Sequence, residues 1–389
     1  MKLAKKEDCC GCTACLNICP IQCIHFREDN EGFLYPVVEE SKCIDCGLCE
    51  KVCPFLSIEK KRIPQKVYAV KNDNKEILIK SSSGGIFTML AEYIIAQKGI
   101  VFGVCFNEGW EAVHDYIQTK DQIYRFRGSK YVQSNLGSTY KSVESFLKEK
   151  KIVLFSGTPC QVLGLKRYLK QDYDNLFTVD FICHGVPSPK VWNLYLRELL
   201  HSLHTSLIEI KEIEFRNKFY GWKKFCFALT TKKKGKAFFL RMPLHLNAYL
   251  RGYLNDLYLR PSCYTCAVRC LKSRSDITLG DYWGIRNLYP SFYDDKGVSA
   301  VLLNTEKGVS YFNKLKCSFV ESTYENVLKY NSSIEYSPQI PAKRKDFYDL
   351  FLEKGVTRTI KILTNMSLKE RIKVRILQIQ YKINKILKI

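Results

Sequence analysis

Eight cysteines near the N-terminus form two matching runs. Cys9, Cys12, Cys15 and Cys19 recur 34 residues later as Cys43, Cys46, Cys49 and Cys53, and Pro20 and Pro54 follow the last thiol of each run. The spacing C-x2-C-x2-C-x3-C-P suits cubane iron–sulfur clusters, in which three closely spaced thiolates wrap one cluster and the fourth reaches the other. On that logic Cys9, Cys12, Cys15 and Cys53 hold one [4Fe-4S] cluster, and Cys43, Cys46, Cys49 and Cys19 hold the second. A structural zinc site instead uses two separated pairs and four ligands. Proline after the last thiol directs the chain away without needing a backbone donor. A unit of this kind moves single electrons and selects no substrate.

Ten of the 18 cysteines remain. Cys263, Cys266 and Cys270 are grouped, whereas Cys160 (in Gly157-Thr158-Pro159-Cys160-Gln161) and Cys183 (in Ile182-Cys183-His184-Gly185) each sit at an expected strand end. If those ends share one side of a sheet, both thiols could meet the Cys263 loop as a third four-thiolate site. A nucleophilic Cys183–His184 pair is the rival, but neighbours in an extended segment point opposite ways. For either thiol alone, a buried inert cysteine is the plain alternative. Cys10, Cys23, Cys105, Cys226 and Cys317 show no partner pattern and read as bystanders.

The elements that would position these groups follow from hydrophobic pattern. Ile24-His25-Phe26 and Phe33-Leu34-Tyr35 flank a polar turn and read as a hairpin between the two cysteine runs. Ser57 to Lys66 reads as a linker. Beyond it, helices (84–97, 136–148, one that follows the tight turn 156–159 and runs to 169, and 189–203) alternate with buried-type strands (100–106, 152–155, 176–182), which is α/β organisation with turns at strand ends, where open sheets bind ligands. From about residue 207 the pattern shifts to shorter strands (207–215, 225–230, 237–242, 276–281, 297–304) and a helix at 244–254. The last stretch, Ser367 to Ile389, spaces Ile372, Ile376, Ile379, Ile383 and Ile386 by 4, 3, 4 and 3, an amphipathic basic helix.

Composition narrows the class. Hydrophobic residues make up 46% of the 389, enough to fill a core and exclude disorder. Lys plus Arg number 61 against 39 acids, a net charge of +22. Between Lys354 and Ile389 stand ten basic residues and one acid, Glu370. No apolar h-region precedes Cys9, and no uncharged apolar run reaches the roughly 18 residues that span a bilayer. A cytoplasmic setting is expected, where clustered thiols bind metal more often than each other.

Six motifs then occur in order: Ser82-Ser83-Gly84-Gly85, Gly128-Ser129-Lys130-Tyr131, Gly157 to Gln161, Cys183-His184-Gly185-Val186-Pro187-Ser188, Cys263-x2-Cys266, and Asp276-Ile277-Thr278-x-Gly280-Asp281-x-Trp283-Gly284. Together they resemble the coenzyme F420 hydrogenase/dehydrogenase beta-subunit family over roughly residues 65–320, and residues 1–60 resemble a bacterial two-cluster ferredoxin. The resemblance implies an α+β ferredoxin-like module (1–60) followed by an α/β flavin-binding domain with a smaller mixed α/β C-terminal part. The parts run 65–205, 206–320 with the cysteine-rich loop, and 321–389 as a helical extension with the basic tail. It further implies FAD and a third [4Fe-4S] cluster on Cys160, Cys183, Cys263 and Cys266, with Cys270 as the replacement candidate.

Ser83, Gly84, Gly85 and Thr88 would then open a helix whose first-turn amides receive a pyrophosphate. Gly128, Ser129, Lys130 and Tyr131 would offer a turn, a cation and an aromatic face, although each segment alone would pass for an ordinary loop. His184 is either a proton donor near the flavin or a cap after the strand.

The leading expectation is an iron–sulfur flavoprotein oxidoreductase working with a redox partner protein or a small organic acceptor or donor, F420-like or other. An electron-relay subunit without its own substrate site is the alternative. Nucleic-acid binding rests on charge alone, and no RNA or DNA motif supports it. The basic tail would pack on the domain, dock on a partner, or lie on an anionic membrane.

Overall fold

In the computed structural model, which describes residues 3–56 and 59–387, the largest sheet is mixed and has eight strands. The strands in chain order are β1 (Ile24–Glu28), β2 (Leu34–Val38), β3 (Lys66–Lys71), β4 (Ile100–Phe106), β5 (Ala112–Ile117), β6 (Val153–Ser156) and β7 (Leu176–Phe181). They continue with β8 (Ile210–Asn217), β9 (Cys226–Lys233), β10 (Lys236–Pro243), β11 (Ile277–Asp281), β12 (Ser299–Leu303) and β13 (Ser318–Ser322). The large sheet has the order β13-β3-β12-β11-β7-β6-β4-β5. Its centre, β11-β7-β6-β4, is parallel, with antiparallel strands on both flanks. β8, β9 and β10 form a separate antiparallel sheet. The hairpin β1–β2, with short helices at Ala14–Ile18 and Leu48–Lys51, makes the ferredoxin-type N-terminal unit.

Parallel strands need both faces covered, so their sequences are apolar throughout rather than alternating. Val153, Leu154 and Phe155 of β6 are all fully buried, as such a run requires. The helix that follows, Pro159–Leu169, starts on a capping box in which the Thr158 amide donates to Gln161 Oε1 at 2.9 Å. Three strands escape a sequence reading. β3 lies beside the charged stretch read as a linker, and β5 and β13 are short edge strands whose half-buried patterns carry little periodic signal. The expected strand 207–215 begins instead with a 3-10 turn, Leu207–Glu209.

The N-terminal unit is seated on the main domain. Cys10, Cys12, Ala14 and Val52 share one apolar cluster with Phe102, Tyr140, Val153 and Val162. Gly164 permits this approach, because a Cβ there would lie 2.9 Å from Cys12 Cβ and 3.0 Å from its Sγ. At the hairpin turn, Ser188 Oγ donates to the Glu31 carbonyl at 2.5 Å and Arg344 Nη1 donates to Glu31 Oε1 at 2.8 Å. Among the described residues no helix is long and apolar enough to cross a membrane.

Candidate redox centre

β6 and β7 are neighbours and parallel, so their C-terminal ends emerge on the same side of the sheet. Cys160 follows β6 in the first turn of Pro159–Leu169, and Cys183 stands two residues beyond β7. Across from them, a 3-10 turn at Pro261–Cys263 presents Cys263, and Cys266 follows. Cys160, Cys183, Cys263 and Cys266 line one cavity, which Cys10 also enters from the N-terminal unit. Cys270 is not among its lining residues; its amide donates to the Ile334 carbonyl and its own carbonyl accepts from Arg62.

The two N-terminal quartets are placed likewise. Cys9, Cys12, Cys15 and Cys53 line one cavity, joined by Cys10 and Cys49. Cys19, Cys43, Cys46 and Cys49 line another, joined by Cys23. Cys10 and Cys23 therefore differ from the bystander reading. Cys10 Sγ hydrogen-bonds with both Cys12 and Cys160, so it stands between the first cavity and the Cys160 cavity. Cys23 Sγ lies 3.5 Å from Cys19 Sγ. The only hint in sequence was their closeness to a run. Among the described residues, no three His, Cys, Asp or Glu side chains converge as a single-ion site.

Burial pushes Cys53 up to about 11 and Cys263 up to about 12, and burial with the neighbouring Cys263 raises Cys183 well above the thiol range. Cys160 is held below that range, first by its hydrogen bond with Cys10 and then by the Thr158 hydroxyl. A bound metal compensates the charge of thiols that burial holds neutral, and soft thiolate sets select iron–sulfur centres among other soft metals. The donor sets thus fit the cofactor that spacing suggested for the two N-terminal quartets and that the resemblance implied for the third set.

Two buried guanidiniums organise the region, and neither was visible in sequence. Arg260, only 1% exposed, donates to the carbonyls of Cys9 (2.6 Å) and Leu34 (2.9 Å) and to Gln133 Oε1 (2.9 Å). Its Nη2 lies 3.7 Å from Cys9 Sγ, and its face covers Tyr35 at 4.3 Å. Since Arg260 also lines the Cys160 cavity, one cation stands between two cysteine sites. Arg269 donates to the carbonyls of Cys183 (3.1 Å) and His184 (2.9 Å), pinning the turn after β7. His184 enters the same cavity, with Nε2 2.5 Å from Asp256 Oδ1 and Nδ1 3.4 Å from Ser333 Oγ. Asp180 also faces it, held up to about 6 by burial.

The segments expected to hold the flavin do meet. Ser129 N and Oγ donate to Ser82 Oγ at 2.7 and 2.9 Å, and Arg127 Nε donates to Thr88 Oγ1 at 3.2 Å. Ser83 Oγ donates to the Val298 carbonyl at 2.8 Å, and Gly84 N to Ser299 Oγ at 2.9 Å. Gly85, at φ 81°, caps the helix Ile86–Ala96, and Gly128 has φ 83°. Lys130 Nζ donates to the Arg125 and Arg127 carbonyls at 2.9 and 3.1 Å. Tyr131 stacks on Tyr253 with ring centres 4.8 Å apart, so one aromatic face is already covered.

A second lysine, Lys218, was missed. Its Nζ donates to the Ser83 and Leu78 carbonyls, both at 2.8 Å, and to that of Lys296 at 2.5 Å. Burial lowers Lys130 and Lys218 alike to about 7. Beside them, Arg216 pairs with Asp281 and hydrogen-bonds Tyr131. Lys218 thus brings positive charge to the turn that leads into the helix Ile86–Ala96, where an anionic ligand such as a diphosphate would be favoured.

Comparison with known proteins agrees with this organisation. The family pattern for the C terminus of the coenzyme F420 hydrogenase/dehydrogenase beta chain matches residues 150–324, and its N-terminal counterpart matches 67–141. A 4Fe-4S dicluster domain matches residues 8–56. The chain is 28% identical over 167 residues to the coenzyme F420-dependent sulfite reductase of Methanocaldococcus jannaschii, covering 41% of this chain and 25% of that one. It is 25% identical over 173 residues to one of the subunits of the F(420)H(2) dehydrogenase of Methanosarcina mazei, covering 41% and 48%. Its N-terminal unit is 44% identical over 54 residues to a 7Fe ferredoxin of Hydrogenibacillus schlegelii, 13% of this chain and 63% of that one. The chain therefore spans between a quarter and two thirds of the length of these relatives.

Proposed function

Since the chain belongs to the coenzyme F420 hydrogenase/dehydrogenase beta-subunit family, with a 4Fe-4S dicluster domain at residues 8–56, we propose that it is an iron–sulfur flavoprotein oxidoreductase. Its organic acceptor or donor would be a deazaflavin of the F420 kind or another small redox molecule. One observation carries this reading: thiols from three separate segments, at 160, 183 and 263–266, line a single cavity that Cys10 of the dicluster unit also enters.

In this reading Cys9, Cys12, Cys15 and Cys53 hold one cubane, Cys19, Cys43, Cys46 and Cys49 a second, and Cys160, Cys183, Cys263 and Cys266 a third. Ser83, Gly84, Gly85, Thr88, Gly128, Ser129 and Lys130, with Lys218, would hold FAD, and Tyr131 would wall the site. A bound flavin joins two-electron hydride chemistry to one-electron carriers. The chain's own residues bind, orient and insulate. Arg260 and Arg269 fix the backbone around the thiols and add positive charge, favouring reduced and hence more negative clusters. Lys130, with two of its three N–H groups on carbonyls, keeps one donor for a phosphate oxygen, and Lys218, whose three donors are all taken, would contribute positive charge. Asp256 orients the His184 ring, leaving that imidazole as the candidate proton carrier at the cavity wall.

A second reading, an electron-relay component without its own substrate site, is favoured by the likeness to one member of a multi-subunit dehydrogenase. Anaerobic purification with iron, sulfide and flavin counted per chain tests the proposal, with about twelve irons expected for three cubanes and one FAD. Eight irons without flavin would overturn it. Turnover of a small molecule by the isolated protein separates the enzyme from the relay.

A further inference from the structure

The terminal helix Leu368–Leu387 has two apolar faces, and only one of them packs. Val374 (6% exposed) and Tyr381 (2%), with the half-buried Leu377, join the core built on the small sheet. Tyr381 Oη hydrogen-bonds Thr231 Oγ1, and Gln378 Nε2 donates to Ser202 Oγ at 3.1 Å. The isoleucine stripe, which packing on the domain would have covered, faces outward instead: Ile372, Ile376, Ile379 and Ile383 are 51%, 48%, 43% and 45% exposed. Leu368 extends the stripe, whereas the side chain of Ile386 lies outside the described part. At about 100° per residue the two sets stand on opposite sides of the helix. Lys369 and Lys373 then flank the stripe on one side, and Arg371, Arg375 and Lys382 on the other.

Glu370, the one acid between residues 354 and 389, does not balance these charges. It is held by the backbone and hydroxyl of Ser367 and by Arg251 Nη1 at 2.9 Å, which keep its carboxyl down at about 2. An apolar stripe between two basic rails matches a surface that is apolar within and anionic at its rim. Long basic side chains there reach outward while their stems cover apolar area. A second copy docked through this face would bring like-charged rails together, whereas an anionic bilayer neutralises them.

We propose that this helix seats the protein on anionic membranes, lying in the interface plane with Ile372, Ile376, Ile379 and Ile383 inserted among the acyl chains and the basic rails on lipid phosphates. Flotation of the full, cofactor-loaded chain with vesicles tests this, using phosphatidylcholine alone against vesicles with about one phosphatidylglycerol in three, a composition that gives a negative surface potential. Binding to the anionic vesicles should exceed that to neutral ones by roughly tenfold or more and fall as salt is raised. I376Q/I379Q, both at exposed positions, should abolish flotation while iron content and melting temperature stay unchanged. The inference is overturned if the native chain does not float, floats equally on neutral lipid, or floats undiminished with both glutamines. A dimer seen by light scattering and lost in the variant, or an acidic protein held by this face without vesicle binding, would also overturn it.

Discussion

Replacing Arg260 should lower the reduction potential of the cluster nearest it. The guanidinium is buried and its Nη2 lies 3.7 Å from Cys9 Sγ. A full charge pair at that distance is worth roughly 4 to 5 kcal/mol at an effective dielectric of about 20. The added electron spreads over a whole cluster, so about half of that, near 2 kcal/mol, is the share to expect. At about 59 mV for each 1.4 kcal/mol in a one-electron couple, the fall is of the order of 100 mV. Removing a positive charge destabilises the more negative, reduced form, so the shift is downward. Redox titration followed by electron paramagnetic resonance should show it for the centre assigned to Cys9, Cys12, Cys15 and Cys53. The centre on Cys19, Cys43, Cys46 and Cys49, whose cavity Arg260 does not line, should hold its value. Arg260→Gln tests the charge, and Arg260→Lys keeps it while losing the fork that bridges Cys9, Leu34 and Gln133. If Gln and Lys shift the potential equally, or no centre moves by more than about 20 mV, well under the step expected for one buried charge, the electrostatic account is refuted.

Cys263→Ala with Cys266→Ala should remove one of three cubanes, taking iron from about twelve to about eight per chain, with the dicluster signals intact. Gly164→Ala should drive a methyl against Cys12, lowering stability by about 1 to 3 kcal/mol and loosening the N-terminal unit, as measured by melting temperature and protease sensitivity. On the proposed flavoprotein reading, FAD affinity should be pH-dependent. Burial lowers Lys130 and Lys218 to about 7, below their ordinary 10.5. A diphosphate raises both, so binding takes up protons and is strongest below about pH 7. Above that it weakens, by up to tenfold per unit for each lysine, and calorimetry in buffers of different ionisation enthalpy reads the uptake directly. Lys218→Met should flatten part of this profile.

The two cysteine runs were legible because cubane ligation is encoded by local spacing, and the grouping of quartets needed only the exchange of the fourth thiol. Strand β6 and the helix after it were legible for the same local reason, a fully apolar run followed by the tight turn Ser156-Gly157-Thr158-Pro159. Other features hide in long-range geometry. β3 is a strand because β12 and β13 pair with both of its edges, not because of its own alternation. Lys218 matters because β8 delivers it to the Ser83 carbonyl, 135 residues away in sequence. Arg260 is an ordinary basic residue in the chain until folding places it against Cys9.

Sequence alone determined the iron–sulfur chemistry of the first 60 residues, since thiol spacing is fixed along a covalent chain. It also supplied the isoleucine periodicity of the last helix. Tertiary structure decided the rest. Parallel pairing of β6 with β7 put Cys160 and Cys183 on one side of the sheet, and close packing at Gly164 brought Cys10 up to Cys160. Packing through Val374 and Tyr381 turned the isoleucines towards solvent. A helix with apolar residues on two sides states two ways to bury itself, and only competition for the same core selects one.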